Sequence, residues 1–439
     1  MIRTPRAAAA LLAAAVLSTT ATACASAEGP AAPGARSAVS KATGADAQRD
    51  TRLAIPRPTG PWAIGRDTLQ LTDEHRRDLW VPSAGARRVM VSLFYPARRG
   101  AQHGARAPYI SAKEAELLLK GLKLDTSFQP GRLTSVRTNA RTGARPAPGR
   151  HPLVVLSPGF TLHRATLTRL SEELASHGYV VALLDHAYES FGTTFTASSA
   201  APSDGSAGRT LTCVACKTVE SAPDDAAEKR LLARAARNRA ADISFVVDEL
   251  TTPSKPLKPL EPSKASKSST EKNSKRPRDY AALIDPRRIG AAGHSLGGNA
   301  AAVAAGTDRR IKAAGNLDGS FFAPVPRAGA GRPVLMLGTR KGHNPRADDV
   351  TWPRTWQRLH GWKRWLTVAG SGHFTFIDLP ILGGQAGVTD PSAPLSGKRS
   401  GEITTQYVTA FFDHHLRGLP RPLLDGPSKE NPEVDFHTP

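Results

Sequence analysis

Residues 288–298 read Arg-Ile-Gly-Ala-Ala-Gly-His-Ser-Leu-Gly-Gly, which sets Gly293-His294-Ser295-Leu296-Gly297 at the step from a short apolar run into a helical one. Glycines two residues either side of Ser295 remove Cβ atoms from a turn that must be sharp if the hydroxyl is to stand clear of both elements. A bare Gly-x-Ser-x-Gly is weak in a chain with 38 glycines, so the pattern takes its weight from the strand before it and the helix after it. In that context the stretch presents a nucleophilic hydroxyl at the end of a buried strand.

Outward from this turn, short β-branched runs at 89–95, 153–156, 180–184, 288–292, 311–317, 334–338 and 365–369 alternate with helical patterns at 164–177, 224–250, 296–305, 352–360 and 402–416. Such alternation predicts a mostly parallel sheet with helices on its faces, in one α/β domain spanning 56–420.

A serine hydroxyl becomes a nucleophile only when a neighbouring base takes its proton. His373 stands in the loop after the last strand, within Gly370-Ser371-Gly372-His373-Phe374, where small residues let the chain turn back over Ser295. His186 and His343 are weaker alternatives, and His294 is expected to point away from the reaction centre. The acid that orients the base has two candidate positions. Asp318, in Gly315-Asn316-Leu317-Asp318-Gly319, ends the strand after the helix, 23 residues beyond Ser295; Asp348 or Asp349 follows the next strand. An oxyanion needs donors. Pro158, in Ser157-Pro158-Gly159-Phe160, has no N–H, which leaves the backbone N–H groups of Phe160 and Leu296 as the candidates. Trp352, Trp356, Trp362 and Trp365 are read as core packing, with the lining of an acyl pocket or contact with a lipid interface as the sharper alternative.

The 439 residues are 40% hydrophobic and 22% charged, enough apolar material for a large core and unlike a disordered or disulfide-stapled chain. No apolar run reaches the length of a membrane span, which excludes a polytopic membrane protein. A net charge of +21 favours anionic surfaces such as phospholipid headgroups or wall polymers; membrane-surface association is expected as an option and nucleic acid is not expected as a partner. Cys24, Cys213 and Cys216 lack the spacing of a four-ligand zinc site, so no metal is expected.

Residues 1–27 place Arg3 and Arg6 before an apolar stretch at 7–17, the layout of an export signal. Ala21-Thr22-Ala23-Cys24 resembles a bacterial lipobox with Ala where Leu is usual, which makes Cys24 a candidate for lipidation; Ala25-Ser26-Ala27 offers ordinary cleavage instead. Residues 28–55 read as a flexible tether and 421–439 as a C-terminal tail. Export favours a disulfide between Cys213 and Cys216 over a reduced pair. That pair lies in a polar insertion at 196–223 that reads as a loop or lid. A second insertion at 252–278 carries eight Lys/Arg against two Glu and is expected to be disordered.

Taken together, these motifs resemble the α/β-hydrolase superfamily and, within it, the secreted platelet-activating-factor acetylhydrolases and their bacterial relatives. The resemblance runs from Pro58-Thr59-Gly60-Pro61 onward through Met90-Val91-Ser92-Leu93-Phe94-Tyr95-Pro96 and Leu174-Ala175-Ser176-His177-Gly178-Tyr179. Its most specific parts are residues 293–298, Asn316-Leu317-Asp318-Gly319 and Gly372-His373-Phe374. It implies Ser295 as nucleophile, His373 as base and Asp318 as acid, with no cofactor, and hydrolysis of short or oxidised acyl esters of phospholipids. Pro158 stands where the animal members have His. A lipase or polyester hydrolase with the same three residues is the alternative enzyme, and a non-catalytic surface lipoprotein that binds polyanions is the alternative from another class.

Overall fold

Residues 153–156, Leu-Val-Val-Leu, offer no polar face, so a strand made from them has to be covered on both sides. The computed structural model, which describes residues 52–98, 100, 104–126, 128–195, 208–253, 256–260 and 278–439, places them at the middle of a ten-stranded sheet. The strands are β1 (Ala63–Arg77), β2 (Ala86–Ala97), β3 (Arg141–Thr142), β4 (His151–Ser157), β5 (Val180–His186), β6 (Thr193–Phe195), β7 (Arg209–Leu211), β8 (Ile284–His294), β9 (Ile311–Leu317), β10 (Val334–Thr339), β11 (Lys363–Val368) and β12 (Val434–His437). The sheet order is β12-β11-β10-β9-β8-β4-β5-β2-β1-β3, while β6 and β7 form a separate ribbon. From β11 to β5 all neighbours are parallel; β12, β2 and β1 pair antiparallel.

The helices are α1 (Ala112–Gly121), α2 (Pro130–Thr134), α3 (Thr168–Ser176), α4 (Val214–Glu220), α5 (Asp225–Thr251), α6 (Leu296–Thr307), α7 (Arg340–His343), α8 (Thr351–Arg358), α9 (Leu379–Gln385) and α10 (Gly397–Arg417). Alternation along β4 sends Val154 and Leu156 into one core with Leu170 and Leu174 of α3 and Phe411 of α10. Leu153 and Val155 enter the other, with Val246 and Val247 of α5 and Ala300 and Ala304 of α6. None of these helices is long and apolar enough to cross a membrane.

Both expected domain boundaries move. Leu53 and Ile55, assigned to the tether, are buried, and they pair with the 137 segment through Ile55 N–H to Arg137 O at 2.9 Å and Arg137 N–H to Leu53 O at 2.8 Å. At the other end, the supposed tail supplies β12, which closes the edge of the sheet against β11 and buries Leu424 and Val434. The 196–223 insertion is more than a loop: its described part contributes β7 and α4, with Leu211 and Ala215 buried. The 252–278 insertion leaves the domain where Leu257 and Arg278 exchange both backbone hydrogen bonds at 2.9 Å; the residues expected to be disordered lie mostly outside the described ones, as do the export signal, Cys24 and the tether up to residue 51.

Removing residues 419–439 should therefore destabilise the domain. Losing the burial of Leu424 and Val434 against the core costs about 3–6 kcal/mol at roughly 1.5–3 kcal/mol per side chain, and β11 becomes an open edge prone to pair with other chains. A lowered urea midpoint and faster aggregation on heating are expected; an unchanged midpoint would return these residues to the status of a tail.

Candidate active site

Ser295 follows directly on β8 and caps α6 with φ 55° and ψ −125°. A residue with a side chain is held there only by its surroundings. A Cβ on Gly293 or Gly297 would collide with the carbonyl of Ser157, so both glycines are needed for β4, β8 and α6 to meet this closely. The Ser295 N–H donates to Leu317 O at 2.7 Å.

One strand over, Asp318 follows β9 with φ 57°, and its N–H donates to Leu337 O at 2.9 Å. Its carboxylate is buried and accepts from Thr339 N–H through Oδ1 at 2.7 Å. The other oxygen, Oδ2, lies 2.6 Å from His373 Nδ1, and His373 Nε2 lies 3.0 Å from Ser295 Oγ. An ionised carboxylate only accepts, so Nδ1 carries the proton and the lone pair on Nε2 faces the serine hydroxyl. The structure thus brings together Ser295, His373 and Asp318, with the His373 ring half exposed above the buried acid.

The two rival acids are elsewhere. Asp348 is exposed, and Asp349 meets His343 rather than His373: His343 Nε2 is 3.1 Å from Asp349 Oδ2. His343 Nδ1 is 2.7 Å from Asp318 Oδ1, so the weaker base candidate sits behind the acid and away from the serine. Burial alone would lower the His343 pKa, but hydrogen bonds and charge from Asp318, then Asp349, raise it to about 9. Burial would likewise raise Asp318, but the bonds and charge of His343, followed by those of His373, hold its carboxyl well below the ordinary range.

His294 does not leave the neighbourhood as expected. Its Nε2 donates to the backbone carbonyl of His373 at 2.7 Å, and the two rings lie 4.6 Å apart. Burial and the adjacent His373 bring its pKa down to about 3, so it supports His373 as a neutral ring. His186 is buried with Nε2 at 2.8 Å from Ser157 Oγ and Nδ1 at 2.7 Å from Asp242, so both of its nitrogens are taken by groups other than Ser295. Trp352 and Trp365 are fully buried, core residues rather than pocket lining.

The backbone N–H groups of Phe160 and Leu296 have no carbonyl partner among the described residues. The Phe160 loop is held from below by groups that the sequence reading did not single out. Arg239 donates to Pro158 O at 2.7 Å and to Glu189 at 2.6 Å; Arg87 joins Asp78, Glu189 and Asp242, all buried. The available signal was that Arg239 and Asp242 fall on the apolar stripe of α5 beside Ala236, Ile243 and Val246. Cys213 and Cys216 are joined as a disulfide, and this bridge packs against Phe160 and Phe191. Among the described residues no group of three or more His, Cys, Asp or Glu is placed to hold a metal ion.

Residues 47–416 match the family described as platelet-activating factor acetylhydrolase, isoform II. A probable 1-alkyl-2-acetylglycerophosphocholine esterase of Arthroderma benhamiae is 27% identical over 414 residues, 87% of this chain and 93% of that one. The platelet-activating factor acetylhydrolase of Cavia porcellus is 22% identical over 271 residues, 61% of this chain and 58% of that one. Among solved structures, a ferulic acid esterase from Streptomyces cinnamoneus is 39% identical with a TM-score of 0.70, and the match covers 88% of this chain and 100% of that one. The shared architecture is the α/β-hydrolase fold.

The buried ions below the Phe160 loop give a stability expectation. Asp242→Ala would break the buried ion pair in which the carboxylate meets Arg87 Nη2 at 2.8 Å, leaving Arg87 to Asp78 and Glu189 alone, a loss of about 3 kcal/mol, the lower end of the range for breaking a buried pair. Denaturant unfolding measures it; a change under 1 kcal/mol, roughly the level of an exposed ion pair, would mean that this pair stabilises nothing.

Proposed function

The chain belongs to the platelet-activating factor acetylhydrolase, isoform II, family and is a carboxylic ester hydrolase, and we propose that it works through an acyl-enzyme on Ser295. The observation that carries this reading is the relay Ser295 Oγ to His373 Nε2 at 3.0 Å and His373 Nδ1 to Asp318 at 2.6 Å. As Ser295 Oγ attacks the ester carbonyl carbon, His373 takes its proton, and the carboxylate of Asp318 stabilises the imidazolium. The Phe160 and Leu296 N–H groups stabilise the oxyanion. His373 then returns the proton to the leaving alkoxide, and a water activated in the same way releases the carboxylic acid.

The substrate class we propose is a short or oxidised acyl ester of a glycerophospholipid, in keeping with the names of the two curated relatives. The solved relative favours a second reading, an aromatic carboxylate ester, since it is a ferulic acid esterase at 39% identity. A panel of 1-alkyl-2-acetyl phospholipid, methyl ferulate, a triglyceride and a polyester film separates these readings, with p-nitrophenyl acetate as reporter and Ser295→Ala as control. We expect the highest kcat/KM on the acetyl phospholipid and a loss of about 10⁴-fold or more in the Ser295→Ala protein. A variant that keeps the wild-type rate overturns the mechanism; preference for ferulate overturns the phospholipid assignment alone.

We place the protein outside the cytoplasm, secreted or anchored through Cys24. The signal-like residues 1–27 and the Cys213–Cys216 disulfide, which suits an oxidising compartment, support this. Cell fractionation should find the protein in the medium or on the membrane, with Cys24→Ala shifting any membrane-bound fraction to the medium; recovery in the cytoplasm would refute export.

A further inference from the structure

We propose that His343 is a positioning residue for the ester hydrolysis: a buried imidazolium clamped between Asp318 and Asp349 that fixes the acid and offsets part of its charge. The inference rests on the reading of Ser295, His373 and Asp318 given above.

The geometry requires two protons on the ring. Both nitrogens face carboxylate oxygens, at 2.7 Å and 3.1 Å, and an ionised carboxylate has no hydrogen to give. A neutral imidazole would satisfy one contact and set a lone pair against the other. The surroundings leave the ring no other place. It stacks on Trp352 with centroids 4.3 Å apart, a face that favours a cation. Trp352 is itself held by Nε1 donating to Gly319 O at 2.9 Å, and Trp365 Nε1 donates to the His343 carbonyl at 2.7 Å. Asp349 is fixed in turn by Ser320 Oγ at 2.6 Å and Thr351 N–H at 2.7 Å.

The charged and titratable groups that bear on His343 can be named. Asp318 comes from the end of β9 and Asp349 from the loop before α8, with His373 on the far side of Asp318. Trp352 of α8 and Trp365 of β11 add uncharged rings, and on its own turn Arg340 is engaged by Asp435 of β12. His343 is therefore the counter-ion of Asp318 on the side away from the reaction. Without it the carboxylate would act on His373 with its full charge and favour the protonated ring, which cannot accept from Ser295. With it, Asp318 still orients His373 while part of its own negative charge is offset.

His343→Asn tests this, because the asparagine amide can still donate to Asp318 but carries no charge. With p-nitrophenyl acetate, the acidic limb of kcat/KM against pH should move up by about one pH unit, a loss of roughly tenfold on that limb with KM little changed. Asp349→Asn, which keeps the ring but removes one of the charges that hold its second proton, should move the limb in the same direction by less; it also serves if His343→Asn fails to fold. Independently, the ¹⁵N resonances of the His343 ring at pH 7.5 should be those of an imidazolium. An unshifted limb in the folded variants, or a neutral ring by NMR, overturns the proposal. A Ser295→Ala protein with wild-type activity would instead refute the reading on which it stands.

Discussion

The constraint on which the site depends is a backbone that Ser295 cannot hold unaided. Its φ of 55° is repeated one strand over by Asp318 at 57°, and the same device secures both. Each residue follows directly on a parallel strand and gives its N–H to the last residue, or nearly the last, of the next strand: Ser295 to Leu317 O, Asp318 to Leu337 O. Asn316 closes the Asp318 turn, accepting from Gly319 N–H at 3.0 Å and donating to Gly319 O at 2.7 Å. A side chain at Gly319 would strike the Ser295 carbonyl. Parallel pairing of β8, β9 and β10 thus sets the nucleophile candidate and the acid candidate in a fixed stagger, and the loop after β11 only has to bring His373 across them.

A second constraint acts from below the sheet ends. Burying arginine and carboxylate side chains together is expensive unless every charge is met, and here Arg87 and Arg239 meet Asp78, Glu189 and Asp242 with no exposed partner. Arg239 also reaches the Pro158 carbonyl, and Ser157, next to it, is bonded through His186 to Asp242. The loop carrying the Phe160 N–H is therefore fastened to a set of charges whose geometry is mutually determined. Ser157, His186 and Asp242 have the connectivity of a second serine relay, but all three are buried, so they hold a loop where the first set meets solvent.

What was legible in the sequence follows from burial. Strands β4, β5 and β10 are covered on both faces, so each carries an unbroken apolar run, at 153–156, 180–184 and 334–337, that could be read directly. At the sheet margins this signal fails: β1 carries Arg66, Asp67, Gln70 and Asp73 among its leucines, and β12 is a four-residue strand holding Asp435 and His437. The tether boundary was misplaced for a related reason, since Leu53 and Ile55 are isolated apolar residues in a polar stretch, and it is their pairing with the Arg137 segment together with packing into the core that buries them. In the site, the glycines mark the serine and the loop position marks His373, because both report local backbone geometry. The ion cluster reports none, apart from two charged residues on an otherwise apolar helix stripe.

The choice between Asp318 and the pair Asp348 and Asp349 was open for a physical reason. Both positions follow a parallel strand at the same rim of the sheet, and there a carboxylate can reach a histidine. The structure uses both positions: Asp318 meets His373, and Asp349 meets His343, whose other nitrogen returns to Asp318. A carboxylate buried with only one half-exposed cationic partner would pull its own proton affinity upward through desolvation. A second, buried partner removes that tendency, so Asp318 stays ionised in the interior whether or not His373 is protonated at that moment. In the proposed mechanism the acid would therefore keep accepting from Nδ1 through both halves of the proton-transfer cycle, which a carboxylate dependent on His373 alone would do less reliably.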